Sequence, residues 1–430
     1  MVHLRSSVTL LVAAATAAST ALMPASPALA KKDMSVPHIA YNKWDSGADV
    51  STGVFNGTSV TSGALIIAAP AGTFAYTDPF GDGSTTTYDV ATWTSPTITP
   101  GFNYSELVSS WNAHTPAGTW IQVAVHGKAD DATTSKDYIL GRWAEGTDAI
   151  HRTSVPAQGD DLASVAIDTL IARKKRSLST WQLTLSLFRK AGTGASPSVT
   201  MLGAMASALP DNTKQLPGSP LGGAEGITLN VPTYSQEVHI GEYPEFDNGG
   251  EAWCSPTSTS MVLGYWHTGP SAADLAGIPY DDPQVDYAAA NVFDYTYDGA
   301  GNWPFNTAYS ARYDLEGFVT RLRSLTEAEQ FIKAGIPLVA SVSFKESELM
   351  GAGYGTDGHL MVIVGFTANG DVVANDPASH LIASNDQVRV VYDRAEFENI
   401  WLPAPRSGGI VYVVHPSGVP LPPAPAEANW

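Results

Sequence analysis

The chain has 430 residues, enough for two or three domains with sizeable cores at roughly 150 residues each. Hydrophobic residues make up 44% and charged residues 15%, with 39 glycines and 29 prolines, which excludes a disordered chain, a coiled coil and collagen. Lys and Arg number 23 against 42 Asp and Glu, a net charge of -19, so a broad nucleic-acid surface is excluded; the short run Arg173-Lys174-Lys175-Arg176 reads as a solvated loop.

The first 30 residues have the three-part layout of an export signal. Arg5 charges the start, residues 8–18 are apolar and Ala-rich, and Ala28-Leu29-Ala30 offers small residues for cleavage. The apolar stretch is too short and too interrupted by Thr and Ser for a permanent membrane span, so a secreted protein without stable membrane insertion is expected.

Residues 31–206 read as an all-β accessory domain, a sandwich or jelly roll. Strands are expected over 65–69, 120–126, 138–143, 181–187 and 199–204. The clearest is Trp181-Gln182-Leu183-Thr184-Leu185-Ser186-Leu187, which alternates apolar with polar without a break. Turn clusters such as Asn56-Gly57 and Gly81-Asp82-Gly83 separate the runs, while 161–171 is ambiguous between helix and strand. Residues 207–226 crowd Pro and Gly, lose apolar periodicity and read as a linker between separable domains.

Residues 227–415 mix helices with strands. Ser255 is placed to cap a helix with Pro256 at its first position, and Met261, Val262 and Tyr265 follow at helical spacing. Thr326-x-x-Glu329 reads as a capping box for a helix closed by Gly335, and Asp393-x-x-Glu396 starts another. Strands are expected over 338–344, 360–366, 372–376, 388–392 and 410–414. The tail 416–430 repeats proline and reads as disordered.

Cys254 is the only cysteine, so no intrachain disulfide can form. It lies in Gly249-Gly250-Glu251-Ala252-Trp253-Cys254-Ser255-Pro256, just ahead of, or in the first turn of, a helix whose unpaired N–H groups and dipole favour a thiolate. The flanking glycines allow close approach of the chain and leave room for a substrate. A thiol nucleophile needs a base, and His359 follows Gly355-Thr356-Asp357-Gly358 at the start of an apolar strand. If Phe366 pairs with Asp371 across the turn Thr367-Ala368-Asn369-Gly370, Met361 lies opposite Asp376, and Asp376 sits diagonally beside His359. A slip by one residue presents Asn375 instead, so both remain open as the group that orients the ring. Gln236, in Val231-Pro232-Thr233-Tyr234-Ser235-Gln236 before the Cys helix, offers a side-chain amide as an oxyanion donor.

These elements together, Val231-Pro232 with Gln236, then Trp253-Cys254-Ser255-Pro256-Thr257-Ser258, then Gly358-His359 and Asp376-Pro377, resemble the C39-like branch of the papain-fold cysteine peptidases, in a secreted bacterial form with an N-terminal β-sandwich. The resemblance covers about 227–415 and implies a papain-like α+β domain there. It implies Cys254 as nucleophile, His359 as base, Asp376 as the orienting group and Gln236 as oxyanion donor, working through an acyl-enzyme. Two departures stand out: the family usually has Cys-Gly-Pro where this chain has Cys254-Ser255-Pro256, and the Gln-to-Cys segment carries extra residues over 239–248.

The expected substrate is a peptide, a protein or a cell-wall peptide. Trp253 and Trp303 are candidates for the groove or for the core, and Glu251 offers a charge that selects basic substrates. His239 and His267 read as ordinary surface or half-buried residues. With no His-Glu-x-x-His pair, no Gly-x-Ser-x-Gly elbow and no phosphate loop, neither a metal nor another cofactor is expected. Two other readings compete, of which only the second keeps the same catalytic residues at work. One is an extracellular binding protein with an inactive peptidase-like domain, whose β domain contacts a glycan or a protein. The other is a cell-wall peptide amidase or acyltransferase.

Overall fold

The computed structural model describes residues 35–211 and 216–430, so the expected export signal over 1–30 lies outside the described residues. The chain is mostly β. Its N-terminal half forms two antiparallel sheets that face each other across a shared core. The first runs Ala163–Ala166, Thr169–Ala172, Glu106–His114, Ser198–Ala208, Ala64–Ile67, Thr58–Thr61, with His38–Trp44 also paired to Ser198–Ala208. The second runs Val54–Asn56, Thr85–Thr94, Thr180–Lys190, Thr119–Lys128, Thr134–Trp143, with Gly72–Thr77 along Thr85–Thr94. The alternation in Thr180–Lys190 has its expected consequence: Trp181, Leu183, Leu185 and Leu187 are buried and the residues between them face outward. The ambiguous segment 161–171 is a hairpin, Ala163–Ala166 against Thr169–Ala172, because its carbonyls and N–H groups find a neighbour in Glu106–His114.

The second half has one six-stranded antiparallel sheet in the order Leu315–Arg321, Ile410–Pro416, Leu338–Phe344, Thr356–Phe366, Val372–Asn375, Arg389–Tyr392. Helices Cys254–Tyr265, Pro283–Val292 and Trp303–Ala311 pack against one another, the first also against Thr356–Phe366 and the third against Leu315–Arg321. The Leu315–Arg321 strand was not legible in the sequence. Among the described residues no helix is long and apolar enough to cross a membrane.

Two helix starts differ from the expectation. The Cys254–Tyr265 helix begins two residues before the expected start at Pro256, so Cys254 is its first residue and Pro256 its third; Pro is tolerated there because the first N–H groups of a helix have no partner to lose. Ser255 does not cap it, and its hydroxyl instead meets the Tyr412 hydroxyl at 2.9 Å. The Leu325–Lys333 helix is capped by Ser324, whose Oγ accepts from Glu327 N–H, rather than by Thr326. That frees Glu329 to accept from the Gly222 and Ala224 N–H groups at 2.7 and 2.9 Å and to pair with Arg394 at 2.8 Å.

Those bonds hold the stretch expected to be a slack linker against the C-terminal half. Leu216 exchanges hydrogen bonds with Asn399, Ser219 N–H donates to Glu398 at 2.6 Å, and Pro220 O accepts from Arg394 at 2.9 Å. The halves also share one hydrophobic core, with Phe305 of the Trp303–Ala311 helix lying against Trp111 and Trp143 of the sandwich. Asn112 Nδ2 donates to Gly317 O at 2.8 Å, and Val319 N–H donates to Ser110 Oγ at 2.8 Å. The buried Arg152 guanidinium spans the boundary through Ala144 O, Glu145 O and Ala290 O. A chain nicked within 207–226 is therefore expected to elute as one particle under native conditions and to separate only in denaturant. Two folded pieces that part on size exclusion would contradict this.

The tail expected to be disordered is packed. Tyr41 N–H donates to Ala428 O at 3.0 Å, so the tail covers the open edge of the His38–Trp44 strand. Asn429 is buried and donates to Arg321 O at 2.7 Å, and the Trp430 ring lies against Phe331 at 4.9 Å. Proline lowers the entropy that such a segment loses on ordering, so few contacts suffice to hold it.

Candidate active site

Three elements converge on one cleft of about 1000 Å³. Cys254 enters it from the first turn of its helix, His359 from the Thr356–Phe366 strand, and Gln236 from the short Gln236–His239 turn. The helix is fixed to the His strand where Ser258 Oγ donates to Leu360 O at 3.0 Å. Gly250 sets how closely the Cys segment approaches the Gln turn: a Cβ there would lie 2.3 Å from Gln236 O and 2.4 Å from His239 C, so only glycine fits. Its smallness serves that contact between two chain segments, not substrate access.

His359 Nε2 lies 2.8 Å from Asp376 Oδ1, and both side chains are buried. The hairpin register that brings them together is the expected one near the site and is reached by a different route. Phe366 pairs with Val372, not Asp371, and an irregularity between Ile363 and Gly365 then restores Val362 opposite Asn375. Asn375 points the other way. Its Nδ2 donates to Pro232 O at 3.0 Å and its Oδ1 accepts from Arg389 at 3.0 Å.

Asp376 is a hub. Tyr354 donates to it at 2.9 Å, Tyr392 at 2.6 Å and the Ala378 N–H at 3.0 Å. Neither tyrosine was singled out in the sequence; only the glycines on both sides of Tyr354 hinted at a special position. Burial works against the Asp376 charge, yet His359 and these donors hold the carboxyl below its usual range. Burial likewise opposes a charged His359, but Asp376 and the Cys254 thiol outweigh it, and the ring is pushed up to about 10.

Gln236 is buried with its amide Nε2 donating to Glu251 O at 2.6 Å, which leaves one N–H of that amide. Its backbone N–H donates to Pro377 O at 2.9 Å, so the residue after Asp376 also locates the Gln turn. Trp253 is fully buried and donates to Phe246 O at 2.6 Å, which makes it a core residue, while Trp303 lines the cleft. His267 is exposed as expected, whereas His239 is completely buried.

The sandwich supplies part of the cleft wall, which the sequence did not reveal. The turn of the Ala163–Ala172 hairpin brings Ile167 and Asp168 to the rim. Asp168 Oδ2 accepts from the Trp303 N–H at 2.9 Å, docking the turn on the start of the Trp303–Ala311 helix, and burial raises its carboxyl to about 6. The lining is acidic: Asp168, Glu237, Asp247, Glu251 and Asp357 face the cleft. The two lining arginines are already paired, Arg321 with Glu106 and Arg406 with Glu348.

Residues 40–207 match the Peptidase C39 N-terminal domain family, and residues 228–408 match the Peptidase_C39 like family. No curated protein matches the chain. Among solved structures, a Bacillus anthracis protein described as a C39-like peptidase is 19% identical, covers 44% of this chain and 96% of its own, and superposes with a TM-score of 0.26. The kappa-carrageenase of Pseudoalteromonas carrageenovora is 9% identical and covers 44% of this chain and all of its own, with a TM-score of 0.21. The laminarinase of Rhodothermus marinus is 10% identical and covers 41% of this chain and 95% of its own, with a TM-score of 0.19.

Proposed function

We propose, from the premise that the chain belongs to the C39-like peptidase family, that it is a secreted cysteine peptidase whose papain-like half hydrolyses amide bonds through a Cys254–His359–Asp376 triad. The observation that carries the reading is the His359–Asp376 pair at 2.8 Å in a cleft that Cys254 and Gln236 also line. In this scheme Cys254 gives its proton to His359 and attacks the substrate carbonyl. The remaining Gln236 amide N–H and the start of the Cys254–Tyr265 helix stabilise the oxyanion. The imidazolium then protonates the leaving amine, and the carbonyl carbon stays bonded to sulfur as an acyl-enzyme. Water, deprotonated by His359, hydrolyses the thioester and restores the thiol. Asp376, held by two tyrosine hydroxyls, keeps the ring oriented throughout.

The reading is tested by intact-mass measurement after rapid mixing with a peptide library. An acyl adduct on Cys254 is expected, and its absence alongside unchanged peptides would sink the proposal.

The acidic lining favours cationic peptides, since Glu237, Glu251 and Asp357 face the cleft with no lining arginine left unpaired to offset them. Peptides with Lys or Arg beside the cut bond are expected to be turned over faster than their Glu counterparts. Glu251→Gln should narrow that ratio about two- to fivefold, through KM rather than kcat, which is what one exposed charge contributes. An unchanged ratio would show that Glu251 takes no part in selection.

A further inference from the structure

Behind the Gln236 turn lies a second cluster of chemistry-bearing groups that the triad does not use. His239 Nδ1 is 2.7 Å from Glu242 Oε2 and 3.4 Å from Asp286 Oδ2. The three ligand atoms lie within 4.8 Å of one another. The His239 side chain is 0% exposed, Asp286 1% and Glu242 14%. Neither oxygen of the Asp286 carboxylate accepts a hydrogen bond. Two carboxylates thus converge on one ring nitrogen, which carries at most one proton. If that proton goes to Glu242, Asp286 keeps a buried charge with nothing to neutralise it fully, an arrangement that costs several kcal/mol per ion unless a further cation joins it.

We propose that His239, Glu242 and Asp286 bind a divalent transition-metal cation, of the Mn²⁺ or Zn²⁺ type. One imidazole nitrogen and two carboxylate oxygens, with open positions left for water, form a mixed donor set. It suits these ions better than Mg²⁺ or Ca²⁺, which are held by oxygen alone. Two negative ligands neutralise a divalent charge, so Asp286 no longer depends on its 3.4 Å contact with a shared ring nitrogen. Glu242, the least buried of the three, marks the way in.

The site braces the catalytic cleft from behind. His239 ends the Gln236–His239 turn, and its ring packs against Trp253, the neighbour of Cys254. The Glu242 N–H donates to His239 O at 3.0 Å, which fixes the His-to-Glu spacing. Asp286 stands in the first turn of the Pro283–Val292 helix. A cation here would tie the turn that carries Gln236 to that helix.

The test uses the full-length Cys254→Ser protein without an affinity tag, which removes the thiol as a competing ligand. Binding of MnCl₂ is followed by electron paramagnetic resonance and of ZnCl₂ by calorimetry, with thermal melts in each ion and in chelator. One equivalent of at least one of the two ions and a higher Tm in that ion than in chelator are expected. Asp286→Asn and Glu242→Gln should each weaken binding by more than the roughly 10–100-fold that changes beyond the ligand shell cost. If Asp286→Asn does not fold, Glu242→Gln decides, because its side chain reaches solvent. No binding of either ion, or affinity unchanged in Glu242→Gln, would overturn the proposal.

Discussion

Cys254→Ala is expected to abolish turnover of a peptide substrate, with a loss in kcat on the order of 10⁶, and His359→Ala to come close to it, because nucleophile and base act as one unit. Asp376→Asn should cost less, about 10⁴, since it leaves the ring in place but removes the charge that sets its tautomer and supports the imidazolium. Gln236→Ala should lower the rate by roughly 10²–10³, the cost of one oxyanion donor. The sharpest comparison is Asp376→Asn against Asn375→Ala. Asn375 bonds to Pro232 O and Arg389, away from the cleft, so its loss should lower stability and leave the pH profile of kcat unchanged. A larger kcat effect at Asn375 than at Asp376, or activity retained in Cys254→Ala, would refute the assignment of the triad.

The second large effect concerns pH. With His359 pushed up to about 10, the imidazolium beside Cys254 persists through neutral pH. Alkylation of Cys254 by iodoacetamide at neutral pH should therefore be about tenfold or more faster in the native protein than in the His359→Ala protein, because a cation beside the sulfur favours its reactive anionic form. Equal labelling rates in the two proteins would count against the pairing. The same groups shape the stability curve. His359 is raised in the folded state, so its contribution is fully present below its ordinary 6.5 and is lost as pH rises to about 10. Asp376 is lowered, so its contribution is present above its ordinary 3.8 and is lost as pH falls through its folded value. Chemical denaturation at a series of pH values should show both flanks, and Asp376→Asn should remove the acid one.

Much of the site was legible because it rests on short-range rules. Period-two alternation puts His359 and Met361 on one face, and a four-residue turn joins the two strands, so Asp376 could be named with Asn375 as its one rival. The pairing at the turn was off by one, yet the bulge between Ile363 and Gly365 absorbed the error before the chain reached Val362 and Asn375. A bulge is decided by how both strands fit their outer neighbours, here Leu338–Phe344 and Arg389–Tyr392, and no local pattern announces it. The hydroxyls of Tyr354 and Tyr392 were invisible for a similar reason: each sits 16 or more residues from Asp376, and only the folded sheet brings them together.

By itself, the sequence determined what depends on residue type and local period: two halves of different character, the alternating strands, and a chain order of amide, thiol, imidazole and carboxylate. Only the tertiary structure decided how the halves meet. The Pro/Gly-rich stretch at 216–224 has no periodicity of its own and is held by Glu329, Arg394 and Glu398, residues more than 100 positions away. Asn112 and Gly317 are 205 residues apart and still share a hydrogen bond. The tail over 416–430 is ordered by the strand edge it covers, not by its composition. His239 could not be told from a surface histidine until Glu242 and Asp286 were seen around it. In each case the deciding interaction lies between segments far apart in the chain, and its free energy appears only once the shared core has placed them side by side.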